Sequence, residues 1–101
     1  MGNRLDLQAT LEEILGSREV YFQPPATVQM RYPAIVYSRK SIGNAHANNG
    51  VYKRDRCYEL TVIDQNPDSE IVEKISELPL CRFDRHYTKD RLNHDVFTIY
   101  V

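Results

Sequence analysis

Two hydrophobic rhythms alternate along this chain, and the changes of rhythm mark its elements. Leu7, Leu11, Ile14 and Leu15 recur at the spacing of one helix face, with Asp6, Gln8, Glu12 and Glu13 between them. Gly16 follows as a stop, because glycine turns the chain out of a helix at little steric cost. A helix is predicted over residues 4–15. Glu19–Gln23 (EVYFQ) reads as a short strand, closed by Pro24-Pro25, which cannot donate to a central ladder. Tyr32-Pro33 opens the strand PAIVYSRKS, where a proline is tolerated because the ladder has not begun. From Ser41 to Gly50 the chain is polar, rich in Asn and Gly and without period, which predicts an exposed loop.

Period two returns in Tyr52–Asp64 (YKRDRCYELTVID). Tyr58, Leu60 and Val62 fall on one face of this strand and Glu59 and Thr61 on the other. Asn66-Pro67 then reads as a helix start, with Asn66 at the N-cap, Pro67 at the first helical position, and Asp68 and Glu70 in the first turn. Ile71, Val72, Ile75 and Leu78 form the apolar stripe, and Pro79 ends it. LCRFDRHY and DVFTIYV are two further strands joined through TKDRLN. The sum is α-β-β-β-α-β-β: an α+β fold, a two-layer sandwich of a mostly antiparallel sheet and two helices.

Length and composition narrow the picture. A chain of 101 residues is one domain, spanning 1–101, with one core. At 42% hydrophobic and 27% charged it has an ordinary globular balance. A net charge of −1 supplies no global field for nucleic acid or an anionic membrane. No apolar run approaches a bilayer span, and the acids near the N-terminus interrupt any signal-peptide pattern, so neither membrane nor export is expected. Cys57 and Cys81 lack a CxxC spacing and read as small buried residues in a reducing compartment, placed on neighbouring strands. Seven tyrosines and no tryptophan suit half-buried sheet faces and protein interfaces.

The stretch FDRHYTKDRLNHDVF (83–97) gathers two of the three histidines, and it poses the question of chemistry. With a turn over Thr88–Leu92, His86 and His94 are expected to sit opposite each other on paired strands. A metal-dependent nuclease at this pair is one reading, with Asp84, Asp90 and Asp95 in the neighbourhood, but zinc asks for three or four ligands that converge. Asp95 points away from His94 if both are in a strand, and Asp90 belongs to the turn. No nucleophile elbow or glycine-rich phosphate loop is present, and the four glycines stand at 2, 16, 43 and 50. No enzyme, metal or cofactor is therefore expected. A second reading from another class is a single-stranded nucleic-acid binder using Tyr52, Arg54, Arg56 and Tyr58 on one strand face. Leu60 and Val62 continue that face into the core, and the near-zero charge gives weak phosphate affinity. Charges on a wet strand extension are the simpler account.

Three stretches together, PPATVQMRYPAIVY (24–37), RCYELTVIDQNPDS (56–69) and FDRHYTKDRLNHDVF (83–97), resemble the tail-terminator or tail-completion (minor structural) proteins of long-tailed bacteriophages and prophages. The order of the stretches, the passage from strand to NPDS helix and the FDR…LNH hairpin carry the resemblance. Some relatives place a Cys where this chain has Ala34, at a position that is expected to serve packing. The resemblance implies an α+β subunit of a hexameric ring at the head–tail junction of the virion, assembled in the bacterial host cytoplasm. Such a ring caps the head-proximal end of the tail tube, ends its polymerisation and meets the head connector. It implies no catalytic residue and no cofactor. The expected partners are copies of the chain itself, the tail tube protein and a connector or neck protein, with no membrane and no sequence-specific nucleic acid. A head–tail connector or neck protein is the nearest alternative.

A ring ends a tube because its contacts close on themselves and leave no further binding edge. Side faces and end faces are then needed, and the polar hairpins are the pieces to supply them. The interface candidates are Tyr52, Arg54, Asp55 and Arg56 on the strand extension, and Tyr87, Lys89, Asp90, Arg91 and His94 on the last hairpin. Their mixed charges set orientation and partner choice, with Tyr52 and Tyr87 as aromatic anchors.

Overall fold

A computed structural model describes residues 4–42 and 56–100 of the chain. The elements run α1 (Arg4–Leu15), β1 (Val20–Phe22), β2 (Ala34–Ile42), β3 (Arg56–Asp64), α2 (Glu70–Ser76), β4 (Cys81–Lys89) and β5 (Leu92–Tyr100). This is the α-β-β-β-α-β-β order, in an α+β fold. The strands form one sheet in the order β1-β2-β3-β5-β4. Only β1 and β2 are parallel; the other pairs are antiparallel.

The register explains the core. Tyr37 lies opposite Leu60 and Leu60 opposite Phe97, while Ile35 faces Val62 and Tyr58 faces Ile99. Partners in register share a face, so these side chains form one apolar sheet surface. Leu7 and Leu11 of α1 and Ile75 of α2 join the same buried cluster. Both helices therefore cover one face of the sheet. Leu11, Ile35, Leu60, Val62, Ile75 and Phe97 are wholly buried.

Two tyrosines, Tyr37 and Tyr58, belong to this core. Phe22, Tyr37 and Tyr58 form a contiguous aromatic set, with centroid separations of 5.0 to 6.3 Å. Tyr37 is buried, yet its hydroxyl donates to Gln8 Oε1 at 2.5 Å and accepts from Arg4 Nη1 at 3.3 Å. The Arg4 guanidinium lies 4.5 Å from the Phe22 ring centroid. Gln8 also donates from Nε2 to the Val20 carbonyl at 3.1 Å. One residue of α1 thus satisfies a buried hydroxyl and covers a carbonyl of β1.

Three expectations need correction. The second helix starts at Glu70, not at Pro67. Ser69 is its N-cap, and the Ser69 hydroxyl accepts the Ile71 N–H at 3.2 Å. Asn66 instead accepts the Asp68 N–H at 2.9 Å, which makes a local turn in place of a cap. Cys57 and Cys81 are free thiols and are not on neighbouring strands, because β5 runs between β3 and β4. The last hairpin turns in two residues, Asp90 and Arg91, at φ 55° and 66°. Thr88 and Lys89 belong to β4, and Leu92 already belongs to β5. The Ser41–Gly50 loop prediction lies largely outside the described residues.

Candidate assembly interface

The β4–β5 hairpin carries the 83–97 stretch, and its register decides which of these side chains share a face. Two consecutive residues at positive φ form the type of turn whose twist matches a hairpin. The turn sets Lys89 opposite Leu92, Tyr87 opposite His94 and His86 opposite Asp95. His86 and His94 therefore project from opposite faces of the sheet, and the expected facing pair is not formed. Among the described residues, no three His, Cys, Asp or Glu side chains gather in a way that could hold a metal ion.

Each histidine has a local partner. The His94 ring stacks on Tyr87 with centroids 4.6 Å apart and planes 12° apart, and its Nδ1 lies 3.2 Å from the Leu92 carbonyl. His86 Nε2 lies 3.2 Å from Asn93 Oδ1. Asn93 uses its amide to donate to the Asp64 and Gln65 carbonyls, both at 3.3 Å, and so ties the hairpin to the chain leaving β3. Asp95 shares the His86 face. Burial raises the pKa of its carboxyl, and the charges of His86 and His94 oppose the shift.

Further along β4, Asp84 is an extra residue between Phe83, opposite Phe97, and Arg85, opposite Val96. This bulge places the Asp84 carboxylate where the buried Thr98 hydroxyl donates to it at 3.2 Å. Arg85 lies 3.4 Å from Glu59 and 3.9 Å from Asp84, bridging β4 to β3 across β5. Exposed ion pairs of this kind contribute at most about 1 kcal/mol. Their role here is to fix side-chain direction on an edge strand. Every residue of β4 after Cys81 is exposed. Lys89, Asp90 and Arg91 crown the hairpin tip in solvent.

Of the sequence-predicted interface residues, Tyr87, Lys89, Asp90, Arg91 and His94 are thus brought together at one end of the sheet. Arg56 opens β3 opposite Ile42. Tyr52, Arg54 and Asp55 lie outside the described residues. Tyr58, the fourth member of the nucleic-acid strand face, is buried against Phe22 and Tyr37 and offers no stacking surface.

The other end of the hairpin holds a feature that the periodicity did not single out. A groove of about 240 Å³ opens between α1 and the α2–β4 connection, lined by Asp6, Leu7, Thr10, Leu78, Pro79, Ile99 and Tyr100. Leu80 beside it is 71% exposed, at φ 59°, and its carbonyl accepts the Tyr100 N–H at 3.1 Å. The signal in the sequence is Leu78-Pro79-Leu80, an apolar run that outlasts the helix whose stripe it continues.

No protein-family model, curated protein or solved structure matches the chain.

Proposed function

We propose that this protein is a phage tail-completion subunit, which forms a ring on the head-proximal end of the tail tube, ends tube growth and offers a surface to the head connector. The resemblance of three ordered stretches to tail terminators motivates the reading, and the α+β architecture is compatible with it. The observation that carries it is the β4–β5 hairpin. Its residues after Cys81 on β4 are exposed, its tip mixes Lys89, Asp90 and Arg91, and an aromatic anchor, Tyr87, lies just behind. That combination suits recognition by charge and shape, since interface hot spots favour Tyr and Arg. A subunit used in this way works by binding, and the imidazoles of His86 and His94 serve the hairpin's own hydrogen bonds and stacking.

The test is mass measurement and negative-stain imaging of the purified chain, alone and with tail tubes. Sixfold rings, or tubes capped at one end and arrested in length, are the expected result. A chain that stays solitary at high concentration and leaves tube growth unchanged would overturn the proposal. So would substrate turnover that disappears on changing His86 or His94.

A further inference from the structure

The groove and the hairpin tip stand at opposite ends of β5. Tyr100 lines the groove, and Leu92 adjoins the turn. Eight residue steps of strand separate them, roughly 26 Å, so a subunit cannot place its own tip in its own groove. The two surfaces nevertheless match in chemistry.

The groove is too small for the usual small-molecule site, which begins near 300 Å³, and it has the size for one large side chain. Leu78, Pro79 and Ile99 give it apolar walls, Tyr100 adds an exposed ring, and Asp6 supplies a carboxylate. Asp6 is already engaged within the chain, and a carboxylate has lone-pair sites for more than one donor. Glu77, one residue before Leu78, is exposed at the end of α2. Apolar walls with an aromatic ring and an acidic rim fit a side chain that has a long aliphatic stem and a cationic head. Arg91 is such a side chain. It occupies the second position of the turn at φ 66°, with its neighbours Lys89 and Asp90 also exposed.

We infer that the groove is the receptor for Arg91 of a second copy of this chain, so that tip inserts into groove in a head-to-tail contact. The inference rests on the ring reading above and deepens it, because a contact between two different surfaces is the kind that propagates around a ring. The stem of Arg91 packs between Pro79 and Ile99, and its guanidinium reaches Asp6 with Glu77 nearby. An arginine–carboxylate pair at the mouth of an apolar slot gives both orientation and register. The same contact leaves the outer edge of β4 free for a different partner.

Charge reversal tests this contact on the full chain. Arg91→Glu and Asp6→Lys are each expected to raise the concentration needed for association by about tenfold or more, as the loss of an interface hot spot does. Mixing the two single variants should restore association, because each then offers the surface that the other lost. The double variant R91E/D6K should also recover it within one chain. Circular dichroism of all variants reports whether the fold is intact, and rescue by mixing excludes misfolding as the cause. If the wild-type chain associates and both single variants associate equally well, the contact is wrong while the ring reading stands. If the two defects do not rescue each other, the pairing is wrong. A wild-type chain that never associates, alone or on tubes, removes the ring reading and the contact together.

Discussion

Asp95 is the residue at which burial and charge compete most openly. It stands opposite Val62 on one side and His86 on the other, on the sheet face that carries the core. Burial raises its carboxyl pKa more than the two histidines lower it. A carboxyl with a raised folded-state pKa is easier to keep neutral in the fold than in the unfolded chain. Its favourable contribution is therefore present at low pH and lost as pH rises through the folded-state value. At pH 7 the ionised group is a small liability. Asp95→Asn should raise Tm at pH 7, by on the order of 1–2 °C because the carboxyl keeps much of its water. The advantage should shrink in acid and vanish below about pH 3.9, where the unfolded chain is protonated as well. Thermal melts of both chains across pH 3 to 8 check this; a benefit that persists unchanged in acid would mean that Asp95 acts through packing and not through charge. Glu19 illustrates the opposite case. Its carboxyl accepts from the Tyr21 hydroxyl and the Arg31 N–H, and these bonds lower its pKa.

At the scale of elements, much of the fold was legible because burial obeys period: Leu7 and Leu11 in α1, Tyr58, Leu60 and Val62 in β3, Ile75 in α2. Two local features were not. NPDSE contains two overlapping helix starts, and an Asn side chain can cap a helix or close a turn on its own neighbours. Ser69 takes the cap and Asn66 takes the turn, and composition alone does not separate these outcomes. The hairpin is more instructive. A register that sets His86 against His94 is the one actually found between Cys81 and Phe83. Near the tip, the two-residue turn shifts the pairing by one, and the bulge at Asp84 returns it. One residue of slip moves a side chain to the other face, so the site's chemistry hung on a turn length that TKDRLN does not declare. The groove was illegible for another reason, since it joins residues of α1, the α2–β4 connection and β5. The turn itself can be tested. Asp90 and Arg91 both hold positive φ without being glycine, at a cost of about 1 kcal/mol or more for each. Replacing them with Asn-Gly should raise stability by about 1 kcal/mol, or roughly 4–8 °C in Tm. That chain lacks Arg91, so it should melt higher while associating less. A lower Tm would mean that the Asp90 or Arg91 side chain supports the hairpin in a way the turn geometry does not reveal.

At the scale of the whole molecule, a net charge of −1 conceals an uneven distribution. Residues 68–77, around α2, carry four carboxylates against Lys74 alone, whereas residues 82–91 carry four cations against Asp84 and Asp90. The exposed aromatic and aliphatic side chains are also spread out: Tyr32 and Tyr87 lie toward the tip, Leu80 and Tyr100 toward the groove. Edge-to-edge sheet pairing is a poor alternative route to assembly. The β1 edge is three residues long with one carbonyl taken by Gln8, and β4 is broken by a bulge and studded with charge. In the proposed contact, association through tip and groove is electrostatic at its mouth and apolar along its walls, whereas the stability of the subunit is set by its apolar core. These two quantities should separate in salt. Raising NaCl from about 0.1 M to about 1 M shortens the screening length from roughly 10 Å to roughly 3 Å. Sedimentation of the wild-type chain should then show association weakened severalfold, with Tm nearly unchanged. The Arg91→Glu chain, already deprived of the attraction, should not weaken further and should regain some association as the new repulsion is screened. Association that strengthens with salt in both chains would place the contact on an apolar surface and leave Arg91 outside it.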